Sequence, residues 1–298
     1  MQPSTSDRGR GAFAARKARR AEGCRSRRRL ARAGDVLLDL GAMRLTAADL
    51  DALNSRFAAA DPLDILRFAR ATFGERAAIL SSMQRAGAVM CHLADRAGLA
   101  FDVVFVDTGV LHAETLATRD ALAASHRHLH VVTLRPEHSF ADQTRAEGLL
   151  YLSKEGQERC CDLRKSAPLR AIRGRYDALI SALRRDEGGA RAEVRTFGLD
   201  PELNALRVHP LAAMPRESLD RYLEDHPDVA LNTLHSMGFP TIGCFPCTTP
   251  VRPDEPERAG RWRHLAGVEY CGINPVDRAT EAAIDLDDAV AARLLGPG

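Results

Sequence analysis

Short apolar runs alternate with helical stretches in the first half of the chain, and this alternation restricts the fold more than any other feature. Three runs have the length and composition of buried strands: Ala77–Leu80, Phe101–Val106 and His130–Leu134. The residues between them show helical apolar spacing. Strands that follow one another through helices form right-handed βαβ units with a parallel sheet. We therefore predict an α/β fold, with a Rossmann-like parallel sheet and flanking helices.

Two further helices are predicted before this unit. Thr46 is a suitable N-cap for the first, and Asp61-Pro62 suits the start of the second. Functional side chains of parallel sheets gather where the strands end. Here the residues at these positions are Ser81, Ser82, Asp107, Thr108 and Gly109.

The N-terminal 33 residues differ from the rest of the chain in charge. They contain eleven Lys or Arg residues against Asp7 and Glu22, a net charge of +9; because the whole chain carries +2, the remainder carries −7. A nucleic-acid arm and a transit peptide are alternatives, but a solvated, disordered extension is the more common meaning of such a stretch. We therefore place residues 1–33 outside the fold and expect no nucleic-acid partner.

The chain shows no signal for a membrane or for export. No run of about eighteen apolar residues occurs, and the N-terminus lacks the apolar segment of a secretory signal. The sequence therefore predicts a cytoplasmic protein without a membrane partner.

The seven cysteines are odd in number, and no export signal accompanies them. A disulfide framework is therefore disfavoured, and metal binding or thiol chemistry becomes the better interpretation. Cys24 lies in the extension, and Cys91 lies in an apolar run where a thiol behaves as a small hydrophobic group. The remaining five are Cys160, Cys161, Cys244, Cys247 and Cys271.

Four of these five cysteines form two close pairs. Cys160 and Cys161 are adjacent, whereas Cys244 and Cys247 form a Cys-x-x-Cys pair. Four thiolates complete either a tetrahedral zinc site or a [4Fe–4S] site. Zinc ribbons usually build both halves from spaced pairs, so the adjacent pair favours iron–sulfur without excluding zinc. Cys271 stands apart near the chain end, where a mobile nucleophile and an incidental free thiol are both open interpretations.

Several segments, in the same order along the chain, resemble motifs of the sulfonucleotide reductase family, within its iron–sulfur branch that reduces adenosine 5′-phosphosulfate. The matching segments are Asp107-Thr108-Gly109, Leu111-His112-Ala113-Glu114-Thr115, Cys160-Cys161-Asp162-Leu163-Arg164-Lys165, Arg184-Arg185-Asp186, Asn232-Thr233-Leu234-His235, Thr241-Ile242-Gly243-Cys244-Phe245-Pro246-Cys247-Thr248, Glu257-Arg258-Ala259-Gly260-Arg261-Trp262 and Cys271-Gly272-Ile273. The resemblance extends from about Ile79 to Asn274. It implies the adenine-nucleotide alpha-hydrolase-like (PP-loop) fold, which agrees with the predicted sheet.

The resemblance also implies a reaction. The four paired cysteines would bind one [4Fe–4S] cluster, and Cys271 would attack the sulfur of adenylyl sulfate to give an S-sulfocysteine and AMP. A thioredoxin or glutaredoxin would then release sulfite, in sulfate assimilation and cysteine biosynthesis. Members without the four cysteines prefer the 3′-phosphorylated substrate, so the presence of these cysteines favours adenylyl sulfate. A homo-oligomer is compatible with the resemblance.

An anionic thiolate and an anionic sulfate repel each other, so the substrate site requires positive charge. The residues assigned to the substrate by the strand ends and by the resemblance are Ser81, Ser82, Asp107, Thr108, Gly109, Lys165, Arg184, Arg185, His235, Arg258 and Arg261. The lysine, the arginines and His235 supply the charge. Any one of these cations alone is more often a surface charge, and Arg164 is equally well interpreted as a solvated neighbour of Lys165.

The sequence departs from the family pattern at three places. In the phosphate loop, Ser82-Met83-Gln84-Arg85-Ala86-Gly87, the glycine is displaced from its family position. Ser181-Ala182 replaces a Thr-Gly pair. Near Cys271, Tyr270 replaces a Glu and Asn274 replaces a His. Two alternatives therefore stay open: a reductase of the 3′-phosphorylated substrate, and a degenerate paralogue that binds only nucleotide and cluster. ATP-dependent adenylylation is disfavoured because the usual Ser-Gly-Gly-x-Asp-Ser turn is absent.

These features divide the chain into three parts. Residues 1–33 form the basic extension, and residues 34–257 form the PP-loop domain that binds sulfonucleotide and cluster. Residues 258–298 are predicted to be a mobile C-terminal segment that carries Cys271.

Overall fold

A six-stranded sheet forms the centre of the computed structural model, which describes residues 42–265, 268 and 283–296. The strands are β1 (Ala42–Leu45), β2 (Ala77–Leu80), β3 (Phe101–Val106), β4 (Leu129–Leu134), β5 (Ala178–Ile180), β6 (Phe197–Asp200), β7 (Ala205–Val208) and β8 (Ile284–Asp287). Across the large sheet the order is β4-β3-β2-β5-β7-β6. Neighbouring strands are parallel except for β6 and β7, which are antiparallel. The predicted α/β fold with a Rossmann-like parallel sheet is confirmed, and an antiparallel edge strand is added to it.

Helices connect the strands, and their starts follow local signals. They are α1 (Ala47–Arg56), α2 (Pro62–Phe73), α3 (Arg85–Arg96), α4 (Ala113–Ser125), α5 (Phe140–Glu147), α6 (Lys154–Cys161), α7 (Ala167–Arg170), α8 (Arg216–Asp225) and α9 (Asp288–Leu295). The Asp49 carboxylate accepts the N–H of Thr46 at 2.8 Å, and Asp61 accepts the N–H of Leu63 at 2.8 Å. Both predicted helix starts are therefore confirmed. None of the helices in the described ranges is long and apolar enough to cross a bilayer.

Alternate residues of the central strands pack into two apolar cores. Ile79 and Val103 belong to the larger core, whereas Ala78 and Val104 belong to the smaller one. Successive side chains of a strand point to opposite faces, so apolar residues at every position require cover on both faces, as parallel sheets have. This packing brings the carboxyl ends of β2, β3 and β5 to one edge of the sheet.

The two ends of the described chain pair with each other. β1 and β8 form an antiparallel two-stranded sheet, in which Met43 lies opposite Leu286. Ile284, Leu286 and Leu294 are buried in the larger core. Residues 284–296 therefore pack as part of the domain, although the sequence predicts a mobile segment over 258–298. Cys271 lies outside the described residues.

Truncation of Leu294 tests whether this C-terminal element stabilises the domain. Leu294 in α9 has no exposed surface, so Leu294→Ala should lower the free energy of unfolding by about 2–5 kcal/mol, through lost burial and the cavity left behind. The matched control is Leu152→Ala, because Leu152 is 58% exposed. Chemical denaturation measures both variants, and equal stability of the two would contradict the prediction.

Candidate active site

Two adjoining cavities open at the edge where β2, β3 and β5 end. Their empty space of about 910 and 800 Å³ includes solvent at the open mouths, so both cavities are accessible from outside. Ser81, Ser82 and Gln84 line both, so the cavities form one continuous cleft. We call the part that extends to Arg184 the arginine pocket and the part that extends to Cys244 the cysteine pocket.

The loop between β2 and α3 forms the wall that the two pockets share. Ser81 Oγ accepts the N–H of Met83 at 3.2 Å, and Met83 has a φ of +57°. A Cβ at Gly87 would lie 2.8 Å from Ser81 Oγ, so α3 approaches the end of β2 closely only because residue 87 has no side chain. The displaced glycine thus has a structural role at its new position. The first turn of α3 beside two hydroxyls is suited to a phosphate group.

Positive charge dominates the arginine pocket. Five arginines line it against two glutamates; the arginines are Arg85, Arg184, Arg191, Arg216 and Arg258. The buried Arg184 contacts Asp186 at 3.1 Å, and Arg191 pairs with Glu187. Arg85 and Arg216 pair with Asp220, and Arg216 also pairs with Glu257. Five arginines therefore face four carboxylates, which leaves one positive charge in excess. The pocket is therefore suited to an anionic ligand.

The cysteine pocket is more apolar and places cations close to sulfur. Lys165 and Arg261 line it together with Cys244. Lys165 Nζ lies 3.6 Å from Cys161 Sγ. The Arg261 guanidinium lies 4.5 Å from the centre of the Trp262 ring, which fixes its plane. An anion in this pocket would contact cations that are themselves adjacent to the cysteines.

The segment that contains Arg261 packs directly on the Cys-x-x-Cys turn. The N–H of Trp262 donates to the carbonyl of Cys247 at 2.9 Å, and Thr248 forms an antiparallel bridge with Arg261. A Cβ at Gly243 would lie 2.5 Å from Arg261 Nη2, so the glycine makes room for this guanidinium. The motif with Arg261 and the second cysteine pair therefore form one unit.

The four paired cysteines interact electrostatically with one another beside this pocket. Cys160 and Cys161 end α6 before a π-helical turn over 162–166. Cys244 precedes a short 3₁₀ turn, and Cys247 is the last residue of that turn. Burial raises the pKa of Cys160, and burial together with the neighbouring Cys244 sulfur raises the pKa of Cys247 to about 12. Such thiols need added positive charge before all can ionise. Within 42–265, 268 and 283–296, no three His, Cys, Asp or Glu side chains are arranged as ligands of a single ion.

Three uncharged side chains lie within hydrogen-bond distance of these sulfurs. The pairs are Gln143 Nε2 with Cys160 Sγ at 3.5 Å, Gln157 Nε2 with Cys161 Sγ at 3.1 Å, and Thr108 Oγ1 with Cys244 Sγ at 3.3 Å. Amide donors stabilise a thiolate more than a neutral thiol. The donors and Lys165 together fit a set of four anionic sulfur ligands.

Comparison with known proteins agrees with this geometry. The profile of the phosphoadenosine phosphosulfate reductase domain matches residues 76–250. A protein from Streptomyces coelicolor named adenosine 5′-phosphosulfate reductase is 40% identical over 215 residues, which are 72% of this chain and 89% of that protein. The chain belongs to the phosphoadenosine phosphosulfate reductase domain family. The resemblance identified from the motifs is thereby confirmed, and membership supports an oxidoreductase that acts on a sulfur group.

Further comparisons extend over most of the chain. An adenosine 5′-phosphosulfate reductase from Rhodococcus opacus is 35% identical and covers 77% of this chain and 96% of its own length. The solved phosphoadenylyl-sulfate reductase of Candida auris, a phosphate complex, superimposes with a TM-score of 0.59 at 20% identity, over 70% of this chain and 100% of that one. This structural likeness concerns the fold, and it confirms the expected PP-loop-like architecture of the family.

The family positions predicted at the site separate into two groups. Those that line the cleft are Ser81, Ser82, Thr108, Lys165, Arg184, Arg258 and Arg261. Asp107, Gly109, Arg185 and His235 line neither pocket. Asp107 accepts the N–H of Gly109 at 3.0 Å and so shapes the turn at the end of β3. Arg185 Nε donates to the carbonyl of Val194 at 2.9 Å.

The sequence predicts His235 as a cation of the substrate site, and its surroundings in the fold disfavour the charged form. Its Nδ1 donates to the carbonyl of Phe239 at 2.8 Å. Burial lowers the pKa of His235, and the charges of Arg85 and Arg216 lower it further. Both effects favour the neutral imidazole over the charged one.

Several residues of the site were not assigned to it from the sequence, although Arg191 follows the matching Arg184-Arg185-Asp186 segment closely. Arg191 and Gln84 line both pockets, and Gln143 and Gln157 contact cysteine sulfurs. Gln157 precedes Cys161 by four residues on α6, a spacing that could have indicated the contact. Gln143 lies on another helix, so no local pattern could have found it.

A buried histidine in the wall of the arginine pocket makes stability depend on pH. His209 Nδ1 lies 2.9 Å from Ser181 Oγ, and Ser181 lines the pocket. Burial, together with the nearby charge of Arg207, lowers the pKa of His209 to about 3. An unfolded histidine titrates near 6.5. Below that pH the unfolded chain binds the extra proton, so the free energy of unfolding should fall by up to about 1.4 kcal/mol per pH unit.

Denaturation at pH 7.5 and pH 5.5 measures this effect. Between pH 7.5 and pH 5.5, the free energy of unfolding should fall more in the wild type than in His209→Asn. His130→Asn is the control, because the His130 side chain is 78% exposed. A His209→Asn variant with the same pH dependence as the wild type would contradict the assignment.

Proposed function

We propose that this chain reduces adenosine 5′-phosphosulfate to sulfite and AMP, with Cys271 as the nucleophile and a thioredoxin or glutaredoxin dithiol as the reductant. One observation carries the proposal: the arginine pocket continues into a cysteine pocket in which Lys165 lies 3.6 Å from a paired cysteine. A sulfonucleotide has an anionic phosphate and an anionic sulfate, and it needs both halves of such a cleft. The relatives named adenosine 5′-phosphosulfate reductase favour this substrate over the 3′-phosphorylated one.

The substrate is proposed to span the two pockets. Its phosphate would lie at the shared wall, where Ser81, Ser82 and the first turn of α3 offer hydroxyl and amide donors. The phosphate would also face the arginines of the arginine pocket, and the nucleoside would extend past them. The sulfate would extend toward Lys165 and Arg261, whose charges offset the repulsion between sulfate and an approaching thiolate.

The reaction then consists of two exchanges at sulfur. The Cys271 thiolate attacks the substrate sulfur, an S–S bond forms, the S–O bond to phosphate breaks and AMP leaves. A thiolate of the donor protein next attacks Cys271 Sγ and displaces sulfite. The second donor thiol resolves the mixed disulfide, so the dithiol supplies the two electrons that reduce sulfur. Arg261 and Lys165 hold the charge that develops on the departing groups.

The four paired cysteines are proposed to hold a [4Fe–4S] cluster. Their burial, their mutual interaction and the surrounding donors fit four thiolate ligands. Bound there, the cluster would supply a fixed charge near the substrate and would not carry the electrons. Iron and sulfide analysis of anaerobically purified protein distinguishes it from zinc.

The parts of the chain and the location of the protein follow from the same proposal. Residues 1–33 would take no part in the reaction. Residues 34–257 would bind sulfonucleotide and cluster, and the segment that begins at residue 258 would carry the nucleophile Cys271. The protein would act in the cytoplasm without a membrane or nucleic-acid partner.

Lys165 and Arg185 give a test of the substrate site, because the sequence predicts both there and the structure separates them. Lys165 lines the cysteine pocket, whereas Arg185 lines neither pocket. Lys165→Met should lower kcat/KM for adenylyl sulfate by about 10²–10³-fold, because it removes a cation from the reacting sulfate. Arg185→Met should change it by less than about threefold. Steady-state sulfite release measures both, and similar losses in the two variants would contradict the proposed position of the sulfate.

The direct test of the proposed function is the mass of the intact protein after incubation with adenylyl sulfate and no reductant. We expect a sulfo increment that peptide mapping places on Cys271. A parallel incubation with the 3′-phosphorylated substrate should give a slower increment. A faster increment there would favour the alternative substrate, and no adduct with either would favour the degenerate paralogue.

A further inference from the structure

Arg164 is buried between two parts of the cysteine site and contacts both. It is 3% exposed, which makes the interpretation of a solvated neighbour wrong. Its Nε donates to the carbonyl of Thr108 at 2.5 Å, and its Nη1 donates to Oε1 of Gln143 at 3.0 Å. Nη2 lies 3.4 Å from the carbonyl of His138, and the Phe140 ring lies 5.4 Å from the guanidinium carbon. The guanidinium group is therefore fixed in one plane.

The contact with Arg164 determines the orientation of the Gln143 amide. A guanidinium group has donors only, so the Gln143 atom that faces it must be the oxygen. The amide nitrogen consequently faces the other way, 3.5 Å from Cys160 Sγ. Gln143 is 4% exposed, so water does not compete for the amide.

Arg164 fixes Thr108 in a similar way. The Thr108 carbonyl accepts from Arg164, while its hydroxyl lies 3.3 Å from Cys244 Sγ. Cys160 and Cys244 come from different cysteine pairs, 84 residues apart in the chain. One side chain thus holds the hydrogen-bond partners of a sulfur from each pair.

We propose that Arg164 is a positioning residue that orients the Gln143 amide and the Thr108 hydroxyl toward two cluster sulfurs and thereby raises the reduction potential of the cluster. The inference rests on the cluster in the proposed function. Hydrogen bonds to ligand sulfur stabilise the electron-rich, reduced state, so their loss lowers the potential. Arg164 never contacts sulfur in this arrangement and acts through its two neighbours.

A simpler alternative is that the positive charge of Arg164 acts directly on the sulfurs. Arg164 lies within electrostatic range of Cys160 and Cys244. Arg164→Lys separates the two explanations, because lysine keeps the charge but lacks the planar fork that reaches two acceptors at once. Without the fork, the Gln143 amide is free to rotate away from Cys160.

The experiment measures the midpoint potential of the cluster in the full-length, anaerobically purified holoprotein by a redox titration followed by electron paramagnetic resonance. The variants are Arg164→Lys, Gln143→Leu and the double variant. Arg159→Lys is the control, because Arg159 precedes Cys160 on the same helix but is 52% exposed and pairs with Glu147. Iron and sulfide content, with the melting temperature, show that each variant is loaded and folded.

We expect Arg164→Lys and Gln143→Leu to shift the potential to more negative values, and the double variant to shift it by less than the sum. Arg159→Lys should keep the wild-type potential. A wild-type potential in Arg164→Lys, or fully additive shifts, would overturn the proposal. If Arg164→Lys does not retain iron, Gln143→Leu decides: an unshifted potential there overturns the proposal. Wild-type protein without iron and sulfide would instead refute the cluster itself, so the two failures are distinguishable.

Discussion

Serine in place of Cys271 is expected to abolish sulfite release from adenylyl sulfate, by on the order of 10⁴-fold or more. A serine hydroxyl is a much weaker nucleophile than a thiolate, and it cannot form the S–S bond from which the donor dithiol displaces sulfite. Sulfite is measured with the full-length protein, adenylyl sulfate and reduced thioredoxin. The sulfo increment should disappear together with turnover.

Two controls make this result specific. Cys24→Ser changes a cysteine of the basic extension and should keep full turnover. Cys271→Ser itself should keep the visible spectrum and AMP binding, because Cys271 is not one of the paired cysteines or the proposed nucleotide contacts. Retained turnover in Cys271→Ser would mean that another group attacks sulfur, and the proposed mechanism would be lost.

Cys244→Ser should lose the visible absorption of the cluster and with it the bound iron. Cys244 is buried, its Sγ lies 3.3 Å from Thr108 Oγ1, and its backbone bridges to Leu111. A neutral serine is a poor ligand for iron compared with a thiolate. Ultraviolet–visible spectroscopy and iron analysis of anaerobically purified protein give the result.

The matched control is Cys91→Ser, which also alters a buried cysteine. Cys91 has no exposed surface, and burial raises its pKa to about 12, so it remains a thiol in the core of α3. Its serine variant should keep the chromophore even if it loses stability. Iron content in Cys244→Ser equal to that in Cys91→Ser would remove Cys244 from the ligand set.

The sequence predicted the parts of the fold that depend on local signals. Strands β2, β3 and β4, and the starts of α1 and α2, follow from apolar periodicity and from the caps at Thr46 and Asp61. The pairing of β1 with β8 could not be predicted, because it joins residues from opposite ends of the chain. Such contacts depend on how the whole core closes.

The candidate site shows the same division. Cys244, Lys165 and Arg261 stand in motifs and were found, and the structure brings them into one pocket. The lowered pKa of His235 depends on burial among distant residues, and the contacts of Arg164 depend on acceptors in the loop after β3 and on α5. A sequence motif identifies such residues without showing which way they face.

The docking of Trp262 on Cys247 has a consequence for the concentration of the proposed nucleophile. The N–H of Leu265 donates a hydrogen bond to the carbonyl of Trp262 at 2.7 Å, which anchors the chain at this point. Cys271 follows six residues later. Six extended residues span at most about 22 Å. A thiol confined to a sphere of that radius has an effective concentration on the order of tens of millimolar. In the proposed function, this covalent tether would bring the thiol to the cleft, so the first step would need no second thiol-bearing protein.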